Sequence, residues 1–266
     1  MYKVIIIITF IKSATKNKNM KKNIRRIYIK DNFVVNKVFC LSKDNTHYIR
    51  KVLRMKVQDI LEIFNNTNYI FLAEIIFISK EKIKLKIFHC EFKNVESPLH
   101  IHLGQVISKN DKMDFTIQKS VEMGVNIITP LFSENCNIKK KNINFFNKIK
   151  RWEKIALSAC QQCNRNILPK IKNPQDVFSW CQKKNKNDIR IILDPKSILT
   201  LNELPKSIQR IQILIGSEGG FSEKEIQKII QYEFIAIKFG PRILRTETAS
   251  VAVISALQMK FGDLLK

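Results

Sequence analysis

Twice near its carboxyl end the chain sends an apolar run into a glycine-bearing turn and then into the start of a helix. The first copy is Ile211-Gln-Ile-Leu-Ile-Gly-Ser-Glu-Gly-Gly-Phe-Ser-Glu-Lys-Glu225, and the second is Phe239-Gly-Pro-Arg-Ile-Leu-Arg-Thr-Glu-Thr-Ala249. Ligands sit on turns of this kind. Gly216, Gly219 and Gly220 let the backbone bend sharply and leave main-chain atoms open to a bulky guest, and Gly240 does the same in the second turn. Ser222 and Glu225 form a capping box, so a helix begins near Ser222 with its free amides aimed back at the turn. The second helix begins near Thr246.

The rest of the chain divides by periodicity. Residues 20–92 hold short β-rich runs at 24–29, 60–64, 69–78 and 82–91, the last alternating Ile83, Leu85 and Ile87 with lysines. This predicts a small barrel or sandwich. One helical turn at 47–55 interrupts it, with Ile49, Val52 and Leu53 facing inward. Residues 93–98 read as a linker, after which strands and helices alternate over 99–266, the pattern of a mostly parallel sheet covered by helices. Strands are expected at 99–107, 126–131, 189–193, 211–215 and 234–239. Helices are expected at 111–123, 145–163, 223–232 and 246–260. The first of these carries Met113, Ile117 and Val121 on one face and stops at Gly124. Residues 1–19, with the apolar run 4–11, read as an N-terminal extension too short to span a bilayer.

Charge narrows the partners. The chain has 266 residues with a formal net charge of +24, dense enough in Lys and Arg to bind phosphates by counterion release. General enrichment in lysine accounts for part of that charge equally well. Six dispersed cysteines suit a reducing cytoplasm, and the close pair Cys160 and Cys163 lacks the second pair or histidine that zinc requires. No metal, membrane or signal segment is therefore expected.

Taken in order, Asp111-Lys-Met-Asp-Phe-Thr-Ile-Gln-Lys-Ser-Val-Glu-Met-Gly124, Arg151-Trp152, Ala159-Cys-Gln-Gln-Cys-Asn-Arg165 and the two glycine turns resemble the bacterial small-subunit ribosomal RNA uridine-N3 methyltransferase E family of the SPOUT superfamily. His47-Tyr-Ile-Arg-Lys-Val-Leu-Arg54 extends the likeness into the first domain, so it covers nearly everything from Met20 onward. The resemblance implies an α/β chain in two parts. A PUA-like RNA-binding β-barrel at 20–92 precedes a SPOUT α/β domain at 99–266, threaded as a trefoil knot and paired with a second copy. It also implies S-adenosylmethionine as cofactor and ribosomal RNA or the small ribosomal subunit as partner. Two departures stand out: Ser217 where the family commonly has Pro, and Gln58 where it commonly has Gly. The second matters only if φ is positive there.

From the resemblance the cofactor would rest on Leu193, on Gly216, Glu218, Gly219 and Gly220, and on Gly240, Ile243, Leu244 and Thr246. Loss of the N3 proton makes uracil an anion whose charge spreads onto the two flanking carbonyl oxygens, where an Arg or a row of amides can stabilise it until the methyl group is transferred. Arg245 and the amides opening the Thr246 helix are the candidates, with Arg245 answering Glu218 or Glu247 as the plain alternative. Glu247 is a candidate proton acceptor, although a carboxylate in the first turn is equally explained by the helix dipole. Arg25, Arg26, Arg50, Arg54 and Lys119 are the expected phosphate contacts, and 139–144 is a further basic tract. Two other functions fit the same features: a knotted methyltransferase with another RNA target, or a basic assembly protein that no longer catalyses.

Overall fold

The computed structural model describes residues 24–136, 145–183 and 187–265. The amino-terminal extension and the basic tract at 139–144 lie outside the described residues. The chain separates into two compact units, one ending at Lys93 and one beginning at Asn94.

The first unit runs β1 (Arg25–Tyr28), β2 (Val38–Cys40), α1 (Lys43–His47), a π-helical turn (Tyr48–Val52), β3 (Ile60–Phe64), β4 (Tyr69–Ile78) and β5 (Ile83–Phe92). Its sheet has the order β1-β3-β4-β5-β2, with β1 parallel to β3 and the other neighbours antiparallel. Period-two alternation on β5 buries Ile83, Leu85 and Ile87 completely and leaves Lys84 and Lys86 in water. Those three meet Ile27, Leu61, Ile63 and Ile75 in one apolar core. The helical turn departs from expectation. Its amide at Leu53 bonds the Tyr48 carbonyl, five residues back, and the wider turn buries Ile49 but swings Val52 out to 60% exposure.

The second unit runs β6 (His100–Val106), α2 (Asn110–Glu122), β7 (Ile127–Phe132), α3 (Phe145–Cys163), β8 (Lys170–Ile171), β9 (Gln175–Asp176), α4 (Val177–Cys181), β10 (Ile189–Leu193), a 3-10 turn (Leu201–Glu203), β11 (Arg210–Ile215), α5 (Glu223–Gln231), β12 (Ile235–Ile237) and α6 (Thr246–Phe261). The strands form a parallel sheet in the order β12-β10-β11-β6-β7-β8, with β9 also paired to β7. Parallel strands are covered on both faces, which explains their continuous apolar runs. The sheet is tight against α4: a Cβ on Gly104 would lie 2.6–2.9 Å from the Trp180 ring, and that ring meets His102 edge-on at 5.2 Å.

Local signals explain the helix ends. Met113, Ile117 and Val121 on α2 are fully buried, and the helix stops at Gly124 with φ +89°. Arg165, 4% exposed, donates to the carbonyls of Val121 and Val125 at 2.9 Å each, so it closes the carboxyl end of α2 while Glu96 balances its charge. At α5 the capping box of Ser222 and Glu225 is present. Glu225 is fully buried and also accepts from the Glu134 amide at 2.9 Å, tying the helix to the segment after β7. All six cysteines are free; Cys160 and Cys181 are buried, and burial pushes the Cys181 thiol up to about 12.

Candidate functional site

In a parallel sheet every strand ends on the same edge, so the segments after β10, β11 and β12 meet there. They enclose a cavity of about 810 Å³. Leu193, Asp194 and Lys196 wall one side, Gly216, Ser217, Glu218 and Gly220 a second, and Gly240, Ile243, Leu244, Arg245 and Thr246 a third.

Each wall is held by its own bonds. Asp194, 8% exposed, accepts from the Lys196 amide at 3.0 Å, and Ser197 donates its hydroxyl to the Ala236 carbonyl at 2.7 Å. In the second wall the Gly220 amide returns to the Ser217 carbonyl at 3.0 Å, and the Ser217 hydroxyl donates to the Asn135 carbonyl at 2.9 Å. That last bond is one a proline could not make. Gly219 faces the other way: a Cβ there would meet the Asn135 Cβ at 3.1 Å, and Gly219 is not among the residues lining the cavity. Gly220 at φ +64° and Gly240 at φ +76° are different, because a Cβ on either would meet nothing within 4 Å. Both glycines are thus cavity-lining backbone that stands beside open space.

Its electrostatics are mixed. Glu218 and Lys112, the latter from the first turn of α2, pair at 3.0 Å. Burial pushes the Glu218 carboxyl up, but the amides of Glu218 and Lys109 and the Lys112 ammonium outweigh it and hold the group below the usual carboxylate range. Among the described residues neither Arg242 nor Arg245 has a carboxylate partner, so Glu218 and Glu247 do not answer Arg245 here. The Glu247 carboxylate does not line the cavity. Its Oε2 is buried and has no hydrogen-bond partner among the described residues.

Comparison with known proteins decides the family. Residues 95–258 match an RNA methyltransferase domain, and residues 41–88 match an RNA methyltransferase PUA domain. The chain is 63% identical over 254 residues to the ribosomal RNA small subunit methyltransferase E of Buchnera aphidicola subsp. Acyrthosiphon pisum, covering 96% of this chain and 99% of the relative. The chain belongs to the ribosomal RNA small subunit methyltransferase E family. Two solved structures are similar across 91% of this chain and the whole of the other. One is methyltransferase E from Neisseria gonorrhoeae bound to S-adenosyl methionine, at TM-score 0.85 and 32% identity. The other is a Legionella pneumophila methyltransferase in complex with the same cofactor, at TM-score 0.86 and 36% identity.

The cations expected to meet RNA are placed unequally. Arg25 and Arg54 are exposed and Arg50 is half-buried. Arg26 is turned inward: its side chain is 7% exposed, bonds Glu62 at 2.6 Å and lies over the Phe64 ring at 4.1 Å. Lys119 pairs with Glu122 at 2.9 Å, one turn along α2. Sequence reasoning also missed cavity residues. Lys112 and Arg242 lie within the quoted motifs without having been assigned to the cavity, and Asp194 follows the strand end at Leu193; for Lys112 the available signal was topological, since the start of α2 follows β6, whose carboxyl end lies on the same sheet edge. Among the described residues no helix is long and apolar enough to cross a membrane, and no cluster of metal-ligating side chains occurs.

Proposed function

We propose that the chain transfers a methyl group from S-adenosylmethionine to N3 of a uridine in small-subunit ribosomal RNA, working in the cytoplasm as a homodimer with a knotted catalytic unit. The observation that carries this reading is the three-walled cavity with open space at Gly220 and Gly240. Its volume is in the range of small-molecule sites, roughly 300–1,000 Å³, and its apolar and backbone surfaces suit a flat adenine better than a phosphate, which Glu218 would repel.

When bound, the cofactor supplies an electrophilic methyl; the chain must hold and dry it. Leu193, Ile243 and Leu244 would flank the adenine, while the main chain of the Gly216–Gly220 turn, Gly240 and Thr246 would follow its polar edge. Gly219 contributes by packing that turn on Asn135. Glu218, kept ionised beside Lys112, is suited to accept hydrogen bonds from cofactor hydroxyl or ammonium groups. Uracil gives up its imino proton as the methyl arrives. Arg245, free of a carboxylate partner, and the amides of α6, whose start has no side-chain cap, would meet the charge left on the two carbonyl oxygens. Glu247, in the first turn of α6 beside Arg245 and Thr246, is the candidate proton acceptor; its carboxylate stands outside the cofactor cavity, so it would act from the uracil side. On the first unit Arg25, Arg50 and Arg54 are the phosphate contacts, with Lys119 reaching RNA once it leaves Glu122. The cavity residue Ile243, an apolar side chain at 86% exposure, supports a second copy covering this edge.

The test is methylation of small ribosomal subunits with labelled S-adenosylmethionine, followed by primer extension, which stops at a base methylated on its pairing edge. Label on a ribose, or only in large-subunit RNA, would remove the proposal.

A further inference from the structure

Gln105 is fully buried in β6, a polar amide between apolar neighbours in the middle of the parallel sheet. Such a group is costly unless every polar atom is bonded. Here each one is. Gln105 Nε2 donates to Thr246 Oγ1 at 2.9 Å and to the Val106 carbonyl at 3.1 Å, with the Gly216 carbonyl at 3.4 Å. Gln105 Oε1 accepts from the Ser250 hydroxyl at 2.7 Å. The Thr246 hydroxyl in turn donates to the Gly216 carbonyl at 2.5 Å.

The direction of this chain of bonds matters. It runs from Ser250 on α6 through Gln105 to Thr246 at the helix start and ends on Gly216, the first residue of the glycine turn after β11. Two cavity walls separated by 30 positions in sequence are joined directly by that last bond, and Gln105 braces it by donating to both of its ends. Gln105 does not itself line the cavity. Bonds linked in series within a low-dielectric interior strengthen one another, so the Gly216 carbonyl and the Thr246 hydroxyl share one arrangement.

We propose that Gln105 is a positioning residue for methyl transfer, setting the spacing between the Gly216 turn and the Thr246 helix that a bound S-adenosylmethionine requires. The inference rests on the cofactor reading above. Gln105→Met keeps nearly the same volume and spares the Thr246–Gly216 bond and that of Ser250 to the Thr246 carbonyl, so the fold is retained, while the two bonds that fix the angle and length of the Thr246–Gly216 contact are lost.

The experiment measures S-adenosylhomocysteine binding by calorimetry and steady-state KM and kcat for S-adenosylmethionine and RNA, for the wild type, Gln105→Met and Ser250→Ala. The expected result is an affinity about tenfold weaker for Gln105→Met, equivalent to about 1.4 kcal/mol. The KM for S-adenosylmethionine rises by a similar factor and the KM for RNA stays constant. Ser250→Ala shows a smaller change in the same direction and carries the test alone if Gln105→Met does not fold. A lower kcat with both KM values unchanged means only a smaller folded fraction and overturns the inference. Failure of the wild type to bind S-adenosylhomocysteine sinks the cofactor reading instead.

Discussion

Gly216 is closed off by Gly220: a Cβ on Gly216 would stand 3.1 Å from the Gly220 Cα, whereas one on Gly220 would meet nothing within 4 Å. The two glycines therefore serve different ends. Gly216 permits the turn to close, and Gly220 leaves its inner surface bare. Gly220→Val places a branched side chain in that space at φ +64°, where such residues are also strained by about 1–2 kcal/mol. We expect S-adenosylhomocysteine binding to weaken by about a hundredfold or more, with the first unit still folded. Calorimetric binding and circular dichroism check this, and an unchanged Kd would place the ligand elsewhere.

Gln58 sits at φ +74°, so its backbone occupies the left-handed region that glycine adopts freely. Its amide bonds the Ile75 carbonyl at 2.8 Å, which locks the strained turn in place ahead of β3. Gln58→Gly should raise stability by up to about 1 kcal/mol, the relief of strain outweighing the added freedom of the unfolded chain. Gln58→Val should lower it. Thermal melting of the two variants decides the point, and a lower melting temperature for the glycine variant contradicts it.

Burial, reinforced by the neighbouring His100, lowers the His102 imidazole from its ordinary 6.5 to about 4. Between those values the unfolded chain holds a proton on this residue that the folded chain refuses. Its contribution is therefore complete above the unfolded value and is lost as pH falls toward 4, amounting to about 3 kcal/mol. Denaturant titrations at neutral pH and near pH 4.5 should show a steeper acid loss in the wild type than in His102→Gln. Equal slopes would mean that His102 does not drive the loss.

Two arginines of the first unit should behave in opposite ways. Arg54 is exposed, and Arg54→Ala is expected to weaken RNA binding at low salt, reduce the salt slope by about one phosphate contact and leave cofactor affinity alone. Arg26→Ala removes the partner of Glu62 and uncovers the Phe64 ring, so it should cost stability instead. Binding measured across a salt series, beside melting curves, separates the two effects; an Arg54 variant with unaltered RNA affinity at every salt refutes the first.

Much of the fold was legible because its signals are local. The face of Met113, Ile117 and Val121, the stop at Gly124 and the Ser222 capping box each need only a few consecutive residues. Val52 was misjudged because a π-turn depends on which carbonyl the Leu53 amide finds, a choice made by packing. β8 and β9, two residues each, and the short α4 have no period to read; their places are set by β7 and by the bare Gly104 beneath Trp180. The same division holds at the cavity. Glycine turns announced two walls, whereas Lys112, Asp194 and Gln105 acquire their places only when parallel strands align distant segments.

Trp152 and Trp180 are the chain's two tryptophans, and both lie in the second unit at 2% and 3% exposure. Intrinsic indole fluorescence is thereby a private reporter of that half: its red shift follows solvent entry there and is blind to events among residues 24–93. Set against a global probe, it reveals whether the halves come apart together or in sequence, without any attached dye.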